Sequence, residues 1–373
     1  MIYIGMFVVT ILCTYIAERT EKKEKKIVFV FFSILSILVP SILAGIRTLD
    51  IGIDLQVYVE KIFLLATRCN TFKEYFEVCN TDFLYMVVNY LVSRFTNNIN
   101  WLLFVFELIN MSLAYLFIYN NRKTNPMWLS MAVYLFLFYN ISLNLVRQGL
   151  AISVILFSMR YVENRKFIKF LICIVVATLF HSTAVFTIPV YFIFNIIENA
   201  KHKKIYKFLI VSVITIAVLN YENIIKFLIY DLRILSVKYI NYITIYSREE
   251  IDFNYAFTLF RLFWIIISMI CYKNLKNANE KNESYIFLLI IDLILNQIGM
   301  FSKYADRIAY YYGLPALIYM IPILYKGFKN NSLNKFIVYL GILLMLIFYW
   351  WFIFIHFKTG ETYPFYSIFS MYR

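Results

Sequence analysis

At 373 residues, 62% hydrophobic and 20% aromatic, with a mean hydropathy of +0.71, the chain is too apolar for a soluble domain of its length. Its apolar runs are continuous rather than alternating, which excludes barrel strands and leaves membrane-spanning helices. The formal charge of +14 invites a nucleic-acid partner, and the distribution of that charge rejects one.

The first run, Met1 to Ala17, has no basic residue before it and Glu-Arg-Thr-Glu-Lys-Lys-Glu-Lys-Lys after it. A cleaved signal carries its positive region first, so this is expected to be a retained first span with its N-terminus outside. Further apolar runs lie at 27–46, 101–119, 127–140, 143–160, 167–181, 182–198, 205–221, 254–272, 285–301, 308–325 and 336–357. Several fall short of the ~20 residues a span prefers and are expected to be tilted or broken. Counting Phe83 to Phe95 as a crossing would put the basic connector at 121–123 outside, so that stretch is expected to be a re-entrant or interfacial helix. The expected fold is all-α: one polytopic domain over 1–373, with about 12 transmembrane helices, GT-C-like, and both termini outside.

With that layout the inner connectors hold 21 of the 36 basic residues against 7 of the 22 acidic ones, which is the whole +14. The net charge is the positive-inside signal and needs no nucleic acid. Inner connectors at 121–123, 160–169 and 199–207 place Asn140 to Arg147 and His181 to Thr183 at outward tips. Arg47 to Asp82 and Glu222 to Phe253 are the longer outer loops. No internal repeat is visible, which weighs against a transporter built from repeats. The Lys-rich run at 22–26 reads as a topology anchor. The five cysteines show no metal spacing, and Cys69 and Cys79 can pair only in an oxidising compartment. Asn140-Ile-Ser is a glycosylation sequon that matters only in a eukaryotic secretory pathway.

The first outer loop opens Ala-Gly-Ile-Arg-Thr-Leu-Asp-Ile-Gly-Ile-Asp-Leu-Gln-Val-Tyr, so Arg47, Asp50, Asp54 and Tyr58 can share one side of an irregular helix. An interfacial anchor with local ion pairs is the plainer account, but two acids beside an arginine exceed what anchoring needs. Asn144, Arg147, Gln148 and Ala151 fall at i, i+3, i+4 and i+7, one helix face that is polar within an apolar chain. Arg147 lies near an outward helix N-terminus, where free amides and the dipole favour a phosphate or diphosphate. Snorkelling to lipid headgroups is its plainer account. Asn144 and Gln148 on the same face favour a lined cavity.

His181 stands at an outer tip beside that face, and an unperturbed pKa near 6.5 suits it to general-base work, unless it is a structural hydrogen-bonder. His202 sits among lysines and is expected to be solvated; His356 is undecided. Glu107, Arg261 and Asp292 lie deep within spans, and Arg261 is expected to pair with Glu107 or Asp292 as structural glue. Lys303, Asp306 and Arg307 form a further outer cluster, with Tyr304 and the tyrosines at 310–312 able to stack on sugar rings. No Gly-rich phosphate loop, His-Glu-x-x-His, Cys pair or Gly-x-Ser-x-Gly is present.

The order Ala-Gly-Ile-Arg-x-x-x-Ile-Gly-Ile-Asp-x-x-x-Tyr, then Asn-x-x-Arg-Gln-Gly-x-Ala, then an apolar span ending in His-Ser-Thr-Ala, resembles the EpsG-like family of Wzy-type polysaccharide repeat-unit polymerases. The motifs cover residues 30–195, and the rest follows by layout, with Tyr-Pro-Phe-Tyr at 363–366 similar to the family's usual ending. The resemblance implies an enzyme on the outer face of the bacterial cytoplasmic membrane. It would transfer a growing glycan from undecaprenyl diphosphate onto the next lipid-linked repeat unit. Arg47, Asp54, Arg147, Gln148 and His181 are the positions carried over by motif. Arg307 lies in an outer loop where such polymerases often keep a second arginine, without a motif to fix it.

The implied roles are diphosphate binding by Arg47, Arg147, Gln148 and Arg307, a base at His181 with Asp54 as competitor, and substrate contacts at Asn144, Asp50 and Tyr58. Guanidinium groups can stabilise the leaving diphosphate without a metal, so no metal or cofactor is expected. Expected partners are the undecaprenyl-diphosphate-linked oligosaccharide, the bilayer, a chain-length regulator and a flippase. Two other functions compete. A GT-C-type transferase using a lipid-linked monosaccharide would take Asp50 or Asp54 as base. A lipid-linked oligosaccharide flippase would need cations through a central passage, and here the arginines gather near the outer side, Arg261 excepted.

Overall fold

The computed structural model describes residues 2–233, 237–241, 255–302, 304–328 and 332–369, and among them every regular element is helical. Among the described residues, seven helices are long and apolar enough to cross a bilayer: Ile2–Glu21, Lys26–Gly45, Ile99–Asn120, Met127–Asn144, Lys281–Met300, Ala305–Gly327 and Leu333–His356. Two bent pairs raise the number to nine, Lys203–Leu219 with Tyr221–Tyr230 at 80° and Tyr255–Ile270 with Tyr272–Ala278 at 73°. The remaining expected crossings are short or polar. Phe167–Phe180 has 14 residues and Pro189–Asn199 has 11, while Val146–Glu163 carries Arg147, Gln148, Arg160 and Glu163 at its ends. At 1.5 Å per residue the first two reach only about 21 and 17 Å, against a hydrocarbon core of about 30 Å. Length and apolarity therefore support seven to nine spans, and the other crossings of the expected 12 rest on connector parity. Phe83–Ser93, with 11 residues, is likewise too short to span, and it packs on Glu60–Arg68 and Phe167–Phe180.

Two helices form the centre. Met127–Asn144 is 94% enclosed and Ala305–Gly327 83%, whereas Lys26–Gly45 and Leu333–His356 are about one-third enclosed and present apolar faces to lipid. Arg261 pairs with Asp292 at 2.7 Å in this core, while Glu107 accepts instead from Asn110 and Ser142. Gly313 makes room for that pair, since a Cβ there would stand 2.3 Å from the Asp292 Cγ. Cys69 and Cys79 are both free and buried with Tyr75 and Met86 in a small satellite core.

The basic connectors are stitched together at one end. Arg122 pairs with Glu21, Glu18 accepts the Met127 amide, and Lys326 donates to the Thr124 carbonyl. Lys281 pairs with Glu163, Arg165 with Glu198, and Lys207 with Glu283. Tyr319 joins the two groups: its carbonyl accepts from Asn125 and its hydroxyl from Asn279. At the other end a strap, residues 359–368, closes over the loop after Lys26–Gly45. Ile368 donates its amide to the Ile46 carbonyl, Thr48 to Tyr366, and Gly52 to Glu361. Tyr3 donates to the Thr362 carbonyl, and Asn140 is held between Thr362 Oγ1 and the Trp350 indole N–H. The tip expected to lie open at Asn140 is therefore covered, because its polar groups are consumed by the strap.

Candidate active site at the strapped end

The site begins with an irregularity in the central span. Met127–Tyr134 is α-helical, Leu135–Tyr139 widens into π-helical turns, and Asn140–Asn144 resumes before a break at Leu145. Such a widening shifts the side-chain register, a device common at functional sites. Val146–Glu163 starts immediately after the break, so Arg147 and Gln148 occupy its first turn. The loop 46–54 lies against this break. Gly52, at φ +98°, sits where a Cβ would come within 3.0 Å of the Leu143 carbonyl. Only a glycine tolerates both the left-handed backbone and that approach.

The loop brings Asp54 to the break, where its amide donates to Asn144 Oδ1 at 3.2 Å. Tyr58, one turn on, donates its hydroxyl to Asp54 Oδ2 at 2.6 Å, and the Arg147 guanidinium lies 4.5 Å over the Tyr58 ring. Arg147 Nη1 also donates to Thr81 at 2.8 Å and to Asp82 at 2.7 Å. Asp82 holds the N-cap position of Phe83–Ser93 but does not cap it, which leaves its carboxylate for Arg147. Arg147 Nε carries no hydrogen bond, although buried. A planar cation held on one edge by protein with an unsatisfied N–H on another is suited to receive an anion.

Burial pushes the Asp54 carboxyl above the usual carboxylate range; the Tyr58 hydroxyl and the charges of Arg307 and Arg147 offset part of that push. Burial and the neighbouring Asp54 raise the Tyr58 phenol well above its ordinary value, so it stays a neutral donor.

Next to this cluster is a cavity of about 210 Å³ lined by Gln148, His181, Thr183, Tyr304 and Arg307, with an apolar wall from Tyr221, Ile224, Ile225 and Leu228. Gln148 Nε2 donates to the Arg307 carbonyl at 3.1 Å, and the Arg307 guanidinium lies 4.4 Å over the Tyr304 ring. His181 ends Phe167–Phe180 in an extended conformation, with Nδ1 2.7 Å from Thr183 Oγ1, which in turn is 3.1 Å from the Tyr311 hydroxyl. A proton on Nδ1 donated to Thr183 makes Nε2 the acceptor nitrogen of the ring.

The structure thus brings Asp54, Tyr58, Asn144, Arg147, Gln148, Arg307 and His181 into one neighbourhood. Arg47 and Asp50 are placed differently. Arg47 is 3% exposed, with Nη1 donating to the Leu143 carbonyl at 2.9 Å, so it braces the break from behind. Asp50 is exposed and accepts from Gln56. Of the outer cluster, Asp306 stands beside Arg307, and Lys303 lies outside the described residues. Thr81 and Asp82 were missed by sequence reasoning; an acid directly before an apolar helix is their only local signal. The wall at Tyr221–Tyr230 is helical where the sequence suggests a loop from Glu222 to Phe253; of that loop, 234–236 and 242–253 lie outside the described residues.

Fold and site define a multi-pass helical membrane protein with a largely apolar cavity, edged by polar groups that include an arginine, at one end of its bundle. Residues 30–367, nearly the whole chain, match the EpsG family, and the chain belongs to it. Members of that family are Wzy-type polymerases, which makes this a polysaccharide polymerase-like membrane protein of glycosyltransferase type. No curated protein and no solved structure matches it.

Proposed function

We propose that the chain is a repeat-unit polymerase, transferring a growing glycan from undecaprenyl diphosphate to the next lipid-linked repeat unit on the outer face of the bacterial cytoplasmic membrane. The observation that carries this reading is that Arg147, stacked on the Tyr58 that donates to Asp54, and Arg307, whose carbonyl accepts from Gln148, share one neighbourhood beside a cavity that His181 lines. The basic connectors gathered at the opposite end support an outward site and outward termini through the positive-inside rule.

In this mechanism the acceptor hydroxyl oxygen forms a bond to the anomeric carbon of the glycan's first sugar. The bond from that carbon to the diphosphate oxygen breaks, and its electron pair leaves with the diphosphate. The hydroxyl proton passes to His181 Nε2, whose ring Thr183 orients. Arg147 and Arg307 take up the leaving charge, and Asp54 with Tyr58 keeps Arg147 in place. Arg47 acts from behind, holding the Leu143 carbonyl and with it the break.

Two alternatives bear on the same residues. A carboxylate-based transferase of the GT-C type would use Asp54, whose raised pKa suits a base. A flippase would need Arg261 as a free cation along its passage, and Arg261 is tied to Asp292. The test is extension of purified lipid-linked repeat unit in detergent, with substrate binding measured separately. His181→Ala is expected to make no polymer while still binding substrate, and Asp54→Asn to keep measurable turnover. Polymer from His181→Ala beside a dead, substrate-binding Asp54→Asn would transfer the role to Asp54.

A further inference from the structure

The end that carries the basic connectors holds a second, larger cleft, about 1000 Å³, which the proposed reaction does not use. Its walls are Lys203–Leu219 on one side and, on the other, the bend after Tyr255–Ile270 and the start of Lys281–Asn296. Five lysines line it, Lys201, Lys203, Lys204, Lys207 and Lys276, against one carboxylate, Glu283. Glu283, on the second wall, is buried and shared: Lys207 reaches it across the cleft at 2.5 Å, and Lys276 from its own wall at 3.1 Å. That carboxylate therefore pins the two walls together and leaves a net charge of +4 from five lysines and one acid at the mouth.

Beneath the charges the floor is apolar, built from Phe208, Val211, Met269, Phe287 and Ile290. Ile205, Phe208, Met269 and Ile270 are exposed around it, so the cleft opens sideways onto the lipid-facing flank as well as toward water. A free phosphate would have no use for such a floor, and a nucleotide would leave its exposed, lipid-facing side uncovered. A phospholipid would, because its acyl chains cover the apolar residues while its headgroup meets the lysines.

We propose that this cleft binds an anionic diacyl phospholipid of the leaflet at the basic end, separate from the site where glycan is transferred. Lys201 and Lys204 hold the phosphodiester together with Lys203, whose ammonium also donates to the Glu198 carbonyl at 2.9 Å, while Lys207 sets the separation of the walls through Glu283, which Lys276 steadies. The bound lipid fills the gap between Lys203–Leu219 and Lys281–Asn296, the helices whose far ends wall the outer cavity through Val218 and Leu295.

The test uses the full chain in neutral detergent, titrated with dioleoyl phosphatidylglycerol, dioleoyl phosphatidylcholine or sodium phosphate while its melting temperature is followed. Phosphatidylglycerol is expected to raise the melting temperature saturably, and the other two are not. Replacing Lys201, Lys203 and Lys204 together with Gln should weaken the apparent phosphatidylglycerol affinity on the order of a hundredfold, at roughly fivefold per lysine. The matching triple Lys→Arg variant should retain it. Met269→Trp, which fills the floor and leaves every charge, should also abolish saturation. An equal response to phosphatidylcholine, a response to phosphate alone, or an unchanged response in both the Gln and Trp variants would overturn the proposal.

Discussion

Arg147–Asp82 and Arg261–Asp292 are ion pairs of the same length, 2.7 Å, in one chain, and their surroundings separate them. In the Arg261 pair the side chains are 6% and 0% exposed, and the guanidinium is further fixed by the Phe257 carbonyl. In the Arg147 pair they are 23% and 10% exposed, beside a cavity, with Arg147 Nε left without a partner. The first pair exists because neither charge could stand alone in the bundle. The second holds a cation ready while leaving part of its donor set for something else. Ion-pair geometry alone does not distinguish glue from machinery, and neither does an unsatisfied polar atom, since Asp292 Oδ1 lacks a partner as Arg147 Nε does; the greater exposure and the neighbouring cavity do.

Breaking the deep pair should have the largest effect on stability. Arg261→Met leaves Asp292 buried without its partner and should cost about 3–5 kcal/mol, read as loss of folded protein in the membrane. Arg261→Met with Asp292→Asn should recover most of that loss and polymerise normally per folded molecule. Failure of the double variant to polymerise would make Arg261 part of the machinery after all.

The strap sharpens the contrast from the other side, because it supports the outer site without touching the cavity. Thr362→Val keeps the shape but leaves the buried Asn140 Nδ2 without its acceptor, at about 1–2 kcal/mol by the usual penalty for an unmade buried hydrogen bond. The expected result is a lower melting temperature together with a lower yield of polymer, since Asn140–Asn144 carries the Asn144 side chain that holds Asp54.

The smallest effect concerns Asp54. Its folded pKa is raised by burial, so its ionised form costs stability: the contribution present below the unfolded value near 4 is lost as pH rises through the folded pKa. Wild type should therefore lose more stability than Asp54→Asn between pH 4 and pH 7.5, and the variant should melt no lower at pH 7.5. A variant that melts well below wild type at pH 7.5 would show that Asp54 is there to be ionised and paired, not held near the cavity at a cost.

How much of this was legible in the sequence follows from how far each contact reaches along the chain. Arg147 and Gln148 are polar neighbours in an apolar run and local pattern exposes them, but the single face expected with Asn144 is divided by the break at Leu145, which leaves Asn144 at the end of one helix and Arg147 at the start of the next. The deep pair was legible as a necessity, since Arg261 must find an acid, though spacing could not choose Asp292 over Glu107. Arg147's partner Asp82 is 65 residues away and Asn140's partner Thr362 is 222 away, and nothing near either residue announces them. Tyr221–Tyr230 resembled a loop because an 80° bend at Asn220 leaves no mark in an apolar pattern. Arg47 looked like a diphosphate ligand because its motif carries no record of depth.

The account's central claim is that Arg147 offers a forked guanidinium to a diphosphate, and Arg147→Lys tests it most directly. Lysine keeps the charge but cannot serve Asp82, Thr81 and an anion in one plane. In the extension assay the variant should turn over on the order of a hundredfold more slowly, the usual loss for one such donor. Cells carrying it should accumulate lipid-linked single repeat units at normal protein level. Full-length polymer at a wild-type rate from Arg147→Lys would contradict the claim and leave Arg147 a lipid-facing anchor.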